Sequence, residues 1–284
     1  MKIGISLGNG FKIKTPDMVS LVASVGFEAI APSMPLEESE PFDLAAIAAA
    51  ARKSGVSLSG MHAPFLRAAA IWDDAGEAGE RGLSELLEGV RLCERYDIPT
   101  LVLHAWIGFT PCAGPTAIGF ERMDLVVREA ERRGVRLALE NTEGEAYLFA
   151  LLDRYKNERQ VGFCFDSGHE QCYNGGKDLL SRFGDRLFFT HLNDNLGVSD
   201  AGGVISPTDD LHLLPFDGTI DWSATAARLK KCTLPEVLNF ELNIKSKPGR
   251  HENDKYEKMS YEAYFSEAFR RATRVASLIG STDH

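Results

Sequence analysis

Short apolar, β-branched runs alternate with longer amphipathic stretches along the whole chain. That pattern reads as buried strands separated by half-buried helices. Strands are predicted at residues 2–7, 27–31, 56–62, 100–104, 136–140, 161–166, 187–191 and 236–241. Helical periodicity predicts 15–25, where Thr15 can cap, Pro16 takes the first helical position and Gly26 ends the run. Further helices are predicted at 44–53 before Gly55, 83–96, 120–133 before Gly134, and 261–278 before Gly280.

Eight strands alternating with helices imply parallel βαβ units, closed as a barrel or doubly wound. Two features favour a (β/α)8 TIM barrel. A repeat of about 35 residues matches the length of such a barrel. No Gly-x-Gly-x-x-Gly turn follows the first strand, since Gly4, Gly8 and Gly10 have other spacings. No Pro/Ser/Gly linker divides the chain, so residues 1–284 read as one domain. The stretch 195–218, rich in glycine, proline and aspartate, reads instead as a long loop after the seventh strand. Barrels carry function on such loops.

Composition narrows the class further. The 284 residues are 44% hydrophobic and 25% charged, which fits a soluble globular protein and excludes disordered or collagen-like chains. No apolar run reaches the roughly 18–20 residues of a membrane span. The opening MKIGISLGNG has one Lys and no long apolar region, unlike a signal peptide. Five cysteines (93, 112, 164, 172, 232), without CxxC spacing, read as reduced thiols in a cytoplasmic protein. The net charge of −10 argues against a protein built mainly to grip nucleic-acid phosphates.

The polar residues become informative at the strand ends. His62 ends the third predicted strand, His104 the fourth, Glu140 the fifth, Asp166 the sixth, His191 the seventh and Glu241 the eighth. In a parallel barrel these ends converge on one mouth, where active sites are built. His169 follows Asp166 by three residues and His212 follows Asp210 by two. Taken singly, His62 or His104 reads as a polar strand cap, and Asp210 as a solvated loop residue. The set does not. Buried carboxylates on Glu140, Asp166 and Glu241 would repel one another unless a divalent cation sat among them. With His191 they make a four-ligand site whose oxygen-rich character suits Mn2+, Co2+ or Mg2+ better than structural Zn2+. Phe65, Trp72, Trp106 and Phe109 follow the third and fourth strands and serve either as an apolar wall against a sugar ring or as core packing. Ser6 and Ser33 lack the Gly-x-Ser-x-Gly setting of a hydrolase nucleophile.

The segments HAPF (62–65), ALENTEG (138–144), FCFDSGH (163–169), THLNDN (190–195), DLHLLPFDGTIDW (210–222) and NFEL (239–242) occur in this order at the strand ends. In them the chain resembles the xylose isomerase-like TIM-barrel superfamily, which groups sugar isomerases and epimerases with endonuclease IV. The resemblance implies that Glu140, Asp166, His191 and Glu241 bind one divalent metal, Mn2+ before Co2+, Mg2+ or Zn2+. It also implies that Glu140 and Glu241 exchange the substrate proton and that His169 holds a substrate oxygen. His62, His104, Trp106, Asp210 and His212 are further expected substrate contacts. The implied reaction removes a proton beside a carbonyl, with the metal stabilising the enediolate and two carboxylates acting as base and acid. The expected partner is a small sugar or sugar derivative, with no nucleic acid and no membrane; the resemblance also hints at a homo-oligomer.

Two loops qualify that expectation. No Lys or Arg occurs between Arg186 and Arg228, so the loop after the seventh strand offers no phosphate contact. The loop after the eighth strand carries Lys245, Lys247 and Arg250, which serve either as an anion-docking site or as a solvated basic turn. Within 195–218, residues 213–216 are expected to anchor on the barrel rim while 197–208 moves as a lid, with Asp210 and His212 orienting the site. The rival reading is a zinc phosphodiesterase like endonuclease IV. Its three-zinc set has residue types matching His62, His104, Glu140, Asp166, His169, His191, Asp210, His212 and Glu241. The acidic loop MPLEESEP (34–41) opposes the approach of DNA to that mouth.

Overall fold

The computed structural model describes residues 1–8, 11, 15–37, 42–73, 76–109 and 114–280. Gly10, Cys112 and residues 38–41 of the acidic loop lie outside them. In chain order the strands are β1 (Lys2–Leu7), β2 (Ala29–Pro32), β3 (Ser57–Leu58), β4 (Met61–His62), β5 (Thr100–His104), β6 (Arg136–Glu140), β7 (Val161–Asp166), β8 (Leu187–His191) and β9 (Val237–Phe240). All pair in parallel, in the orders β3-β2-β1-β9 and β4-β5-β6-β7-β8.

Two seams join these sheets into a barrel. At one, Ser33 bridges His62, and the Met34 N–H donates to the His62 carbonyl at 2.9 Å. At the other, Leu192 bridges Phe240, and the Thr190 hydroxyl both donates to the Asn239 carbonyl (3.1 Å) and accepts its N–H (2.9 Å). The third expected strand, 56–62, is therefore two segments. The cause lies across the barrel: a Cβ on Gly60 would come within 2.6 Å of the Phe189 ring. That ring fills the barrel interior with Ala31, Val102, Ala138 and Cys164, and burying it stabilises the fold by about 1.5–3 kcal/mol.

Because side chains alternate along a strand, Arg136, Ala138 and Glu140 share the inward face of β6. The outward faces meet the helices in one continuous apolar core. Those helices are α1 (Thr15–Val25), α2 (Leu44–Ser54), α3 (Glu77–Arg95), α4 (Ala117–Arg133), α5 (Glu145–Arg154), α6 (Ser167–Cys172), α7 (Leu179–Phe183), α8 (Trp222–Leu229), α9 (Asp254–Glu257) and α10 (Tyr261–Gly280). Local chemistry sets several ends. The Asp43 carboxylate accepts the Ala46 N–H at the start of α2, and Gly55 at φ 72° closes it; Thr116 and Gly134 do the same for α4. Helix α3 begins six residues earlier than its periodicity predicts. Gly79 and Gly82 lower the apolar signal there, yet a Cβ on Gly79 would meet the Ala70 carbonyl at 2.7 Å, so the glycine permits close packing. Among the described residues no helix is long and apolar enough to cross a membrane.

Candidate metal centre

The six strand-end residues converge. Glu140 Oε1 lies 3.0 Å from His191 Nδ1, which is also 3.1 Å from Glu241 Oε2. Glu140 Oε2 faces His62 Nε2 at 3.2 Å and His104 Nε2 at 3.4 Å. From α6, His169 Nδ1 approaches Glu140 Oε1 at 3.3 Å and Asp166 Oδ1 at 3.9 Å. Its Nε2 approaches Asp210 Oδ1 at 3.4 Å, and that oxygen lies 2.7 Å from His212 Nε2. Glu140, Asp166 and His191 are at most 1% exposed, whereas the Glu241 side chain is 20% exposed toward the cavity.

One observation tests whether these residues fit an ion. Glu140 Oε1, His169 Nδ1, His191 Nδ1, Asp210 Oδ1 and His212 Nε2 are all buried, yet none completes a hydrogen bond with protein. Buried polar atoms ordinarily do. Here they are crowded together with their directions unmatched, as ligand atoms around a cation are. One ligand atom from each of Glu140, Asp166, His191 and Glu241 falls within 4.8 Å of the others. The same holds for His62, His104 and Glu140, and for Asp166, His169 and His212. The donor sets therefore fit a divalent ion at the first group and leave imidazole-rich positions on either side.

Burial and mutual attraction oppose each other across the cluster. Burial pushes the Glu140 carboxyl up, but the imidazoles of His191, His104 and His169 outweigh it and hold it well below its usual range. Burial likewise works against the charged form of His191, and Cys164, Glu140 and Glu241 overcome it, raising His191 well above its usual value. Asp166 is the exception: burial pushes it up to about 6. Its position is nevertheless fixed, because Oδ1 accepts the His169 N–H (2.6 Å) and Oδ2 accepts Asn193 Nδ2 (2.9 Å). Asp166 thus caps α6 and faces the cluster at once.

Above the cluster lies a cavity of about 450 Å3. His62, His104, Glu140, His169, Asp210, His212, Glu241 and Lys247 line it, together with Phe65 and Phe109. Three expected contacts are elsewhere. The Trp106 ring is stacked on Tyr147 at 5.5 Å, beside Gly144, and belongs to the core. Lys245 is exposed and does not line the cavity. Arg250 is held by Glu252 Oε1 (2.8 Å) and the Thr208 carbonyl (3.3 Å) and stays outside the cavity. Only Lys247 of the basic loop reaches it, with Nζ 3.2 Å from Asp210 Oδ2. His251 is exposed and paired with Asp254.

The structure adds Glu143, Tyr173 and Asn243 to the lining. Glu143 sits three residues beyond Glu140, and its Oε1 accepts the Gly108 N–H at 2.8 Å. That spacing within ALENTEG is the signal that could have found it. In the long loop, Leu213 and Leu214 are buried as an anchor should be. The outer part is tied by buried Asp209, whose carboxylate accepts the N–H and hydroxyl of both Ser199 and Ser206.

Comparisons with known proteins agree with this architecture. Uncharacterized protein y4fM of Sinorhizobium fredii (strain NBRC 101917 / NGR234) is 34% identical over 169 residues, 57% of this chain. The match covers 48% of that protein, so the chain spans about half the length of the curated relative it matches. The structure of IolI protein with a bound zinc atom superposes with a TM-score of 0.77 at 16% identity, covering 99% of this chain and 100% of that one. D-psicose 3-epimerase from Clostridium cellulolyticum H10, solved with D-tagatose, gives 0.72 at 14% identity, covering 99% and 100%. At such identities the likeness is one of fold. The family model described as xylose isomerase-like TIM barrel matches residues 19–271, and the chain belongs to that family.

Proposed function

We propose that this protein is a divalent-metal-dependent isomerase or epimerase of a sugar or sugar derivative. The observation that carries the reading is the placement of Glu140 and Glu241, both lining the cavity and both within 3.1 Å of His191 Nδ1. Glu140, Asp166, His191 and Glu241 would hold the ion, with Mn2+ the metal that best suits three carboxylates and one imidazole. The ion would supply the positive charge that stabilises an enediolate formed beside a carbonyl. Glu140, ending β6, and Glu241, just past β9, offer a carboxylate base and a carboxylate acid for moving the proton. His169 and His212, both beside Asp210 Oδ1, would hold substrate oxygens. The fold likeness to a ketose 3-epimerase supports a ketose as the first compound to try.

Glu140→Gln tests the assignment. Turnover of ketoses, read as deuterium uptake from D2O at the carbon beside the carbonyl, should fall about 10²–10⁴-fold while the fold is retained. Undiminished exchange would sink the proton-transfer role.

The second reading, phosphodiester cleavage like that of endonuclease IV, is favoured by the flanking groups His62–His104–Glu140 and Asp166–His169–His212. Lys247 is the one Lys or Arg lining this cavity among the described residues, and it is paired with Asp210. Several cationic phosphate contacts would be needed for DNA. Three zinc ions per chain together with nicking of abasic DNA would reverse the ranking.

A further inference from the structure

At the opposite, amino-terminal end of the barrel lies a second cavity, of about 280 Å3. The inward face of β6 ends there in Arg136, two alternations below Glu140. Its guanidinium is half-buried and, among the described residues, has neither a hydrogen bond nor an ion pair. Burial works against its charge, and no nearby carboxylate offsets it. Buried or half-buried arginines ordinarily have partners.

The surroundings are built rather than incidental. Between β7 and β8 the register slips: Phe163 faces Leu187 while the next residue, Cys164, faces Phe189. Phe188 is the extra residue of that irregularity, and its ring lies under the Arg136 guanidinium, 5.4 Å from it. The ring fits only because residue 162 is glycine, since a Cβ there would meet it at 2.5 Å. Leu58, Pro99, Pro235 and Val237 give apolar walls. Of the charged residues at the rim, Lys2 and Glu236 neutralise each other at 2.6 Å, and Asp97 makes no ion pair with Arg136. The hydroxyls of Ser57 and Ser59 already donate to the carbonyls of Glu28 and Ile30. One planar cation therefore stands without a hydrogen-bond or ion-pair partner on an aromatic plate, between apolar walls and a polar rim.

We propose that this cavity is a binding site for a small monocarboxylate with an apolar body. The carboxylate takes parallel N–H donors from Arg136, and the body rests against Phe188 and the proline walls. The site is separate from the mouth and does not depend on the reaction proposed there.

Benzoate and inorganic phosphate are the probes, titrated calorimetrically into the metal-loaded full chain. Benzoate should bind saturably, one per chain. Arg136→Gln should weaken it by about tenfold or more, with Phe188→Leu giving a smaller loss. In the wild-type protein loaded with diamagnetic Mg2+, benzoate should shift the amide resonances of Leu58 and Val237 and leave those of His62 and Glu241 in place. That measurement stands even if Arg136→Gln fails to fold. Three results would overturn the proposal. They are no saturable binding up to about 10 mM, shifts confined to the mouth, and phosphate binding tighter than benzoate.

Discussion

Asp194 is fully buried, and its carboxylate accepts four hydrogen bonds: from the N–H groups of Asn195, Phe216 and Ile220 and from Trp222 Nε1, at 2.8–3.1 Å. Its backbone also exchanges both hydrogen bonds with Leu213. One side chain thus fixes the return of the long loop to the barrel at Phe216, which is held at φ 73° two residues ahead of Gly218, whose Cβ would collide with Asp194. Asp194→Ala leaves four donors without an acceptor and should cost about 3–5 kcal/mol. Urea unfolding in the presence of chelator checks this, and Asp194→Asn, which keeps one acceptor oxygen, should lose less. His62, His104, Glu140, Asp166, His191 and Glu241 were legible in the sequence because each ends an apolar run, where a charged or imidazole side chain needs a reason. Trp106 was not, because whether an aromatic faces a cavity or a neighbour depends on partners distant in sequence, here Tyr147 and Gly144. Lys247 and Arg250 look alike in the sequence; Glu252 and the Thr208 carbonyl separate them.

Among elements, helices α1, α2, α4 and α10 and the strands of five or six residues lie close to where the hydrophobic pattern puts them, whereas α3 starts six residues early and the pattern does not predict α5 or α8. The short helices α6, α7 and α9 carry too few residues to show a period, and the break between β3 and β4 arises from a ring on the far wall. Helix α10 clamps the end of the long loop through Arg271, which donates to Asp217 Oδ1 (2.7 Å) and to the Pro215 carbonyl (2.8 Å). Tyr256 and Lys255 reach the other Asp217 oxygen. Burial pushes the Asp217 carboxyl up, but Tyr256, Arg271 and Lys255 outweigh it and hold it below its ordinary value. A carboxyl depressed in the fold contributes stability that is present above its unfolded pKa, about 4, and lost as pH falls through the folded value. Asp217→Asn should therefore lower the melting temperature at pH 7 and shrink the gap to wild type below about pH 4. Melting curves across that range decide it; a gap constant with pH would mean the clamp is not electrostatic.

Across the whole molecule, the carboxylates gathered at the mouth make the fold's stability depend on what neutralises them. If the proposed ion occupies the mouth, stripping it with a chelator should lower the melting temperature by about 5–10 °C, and Glu241→Gln should lessen that drop. Calorimetric scans with and without chelator measure it. The barrel's closure has a different consequence, in the order of assembly. Strands β4 to β8 lie within residues 61–191 and pair with sequence neighbours. β1 pairs with its neighbour β2 on one side but with β9 on the other, and the Lys2–Glu236 contact at that junction spans 234 residues. Closing so long a loop comes late. As the barrel is synthesised, β1, which precedes its other strands, is the last of them to find both neighbours. Until then the KIGISL strand keeps one ladder edge open to other chains, with Lys2 as its only charge to discourage them.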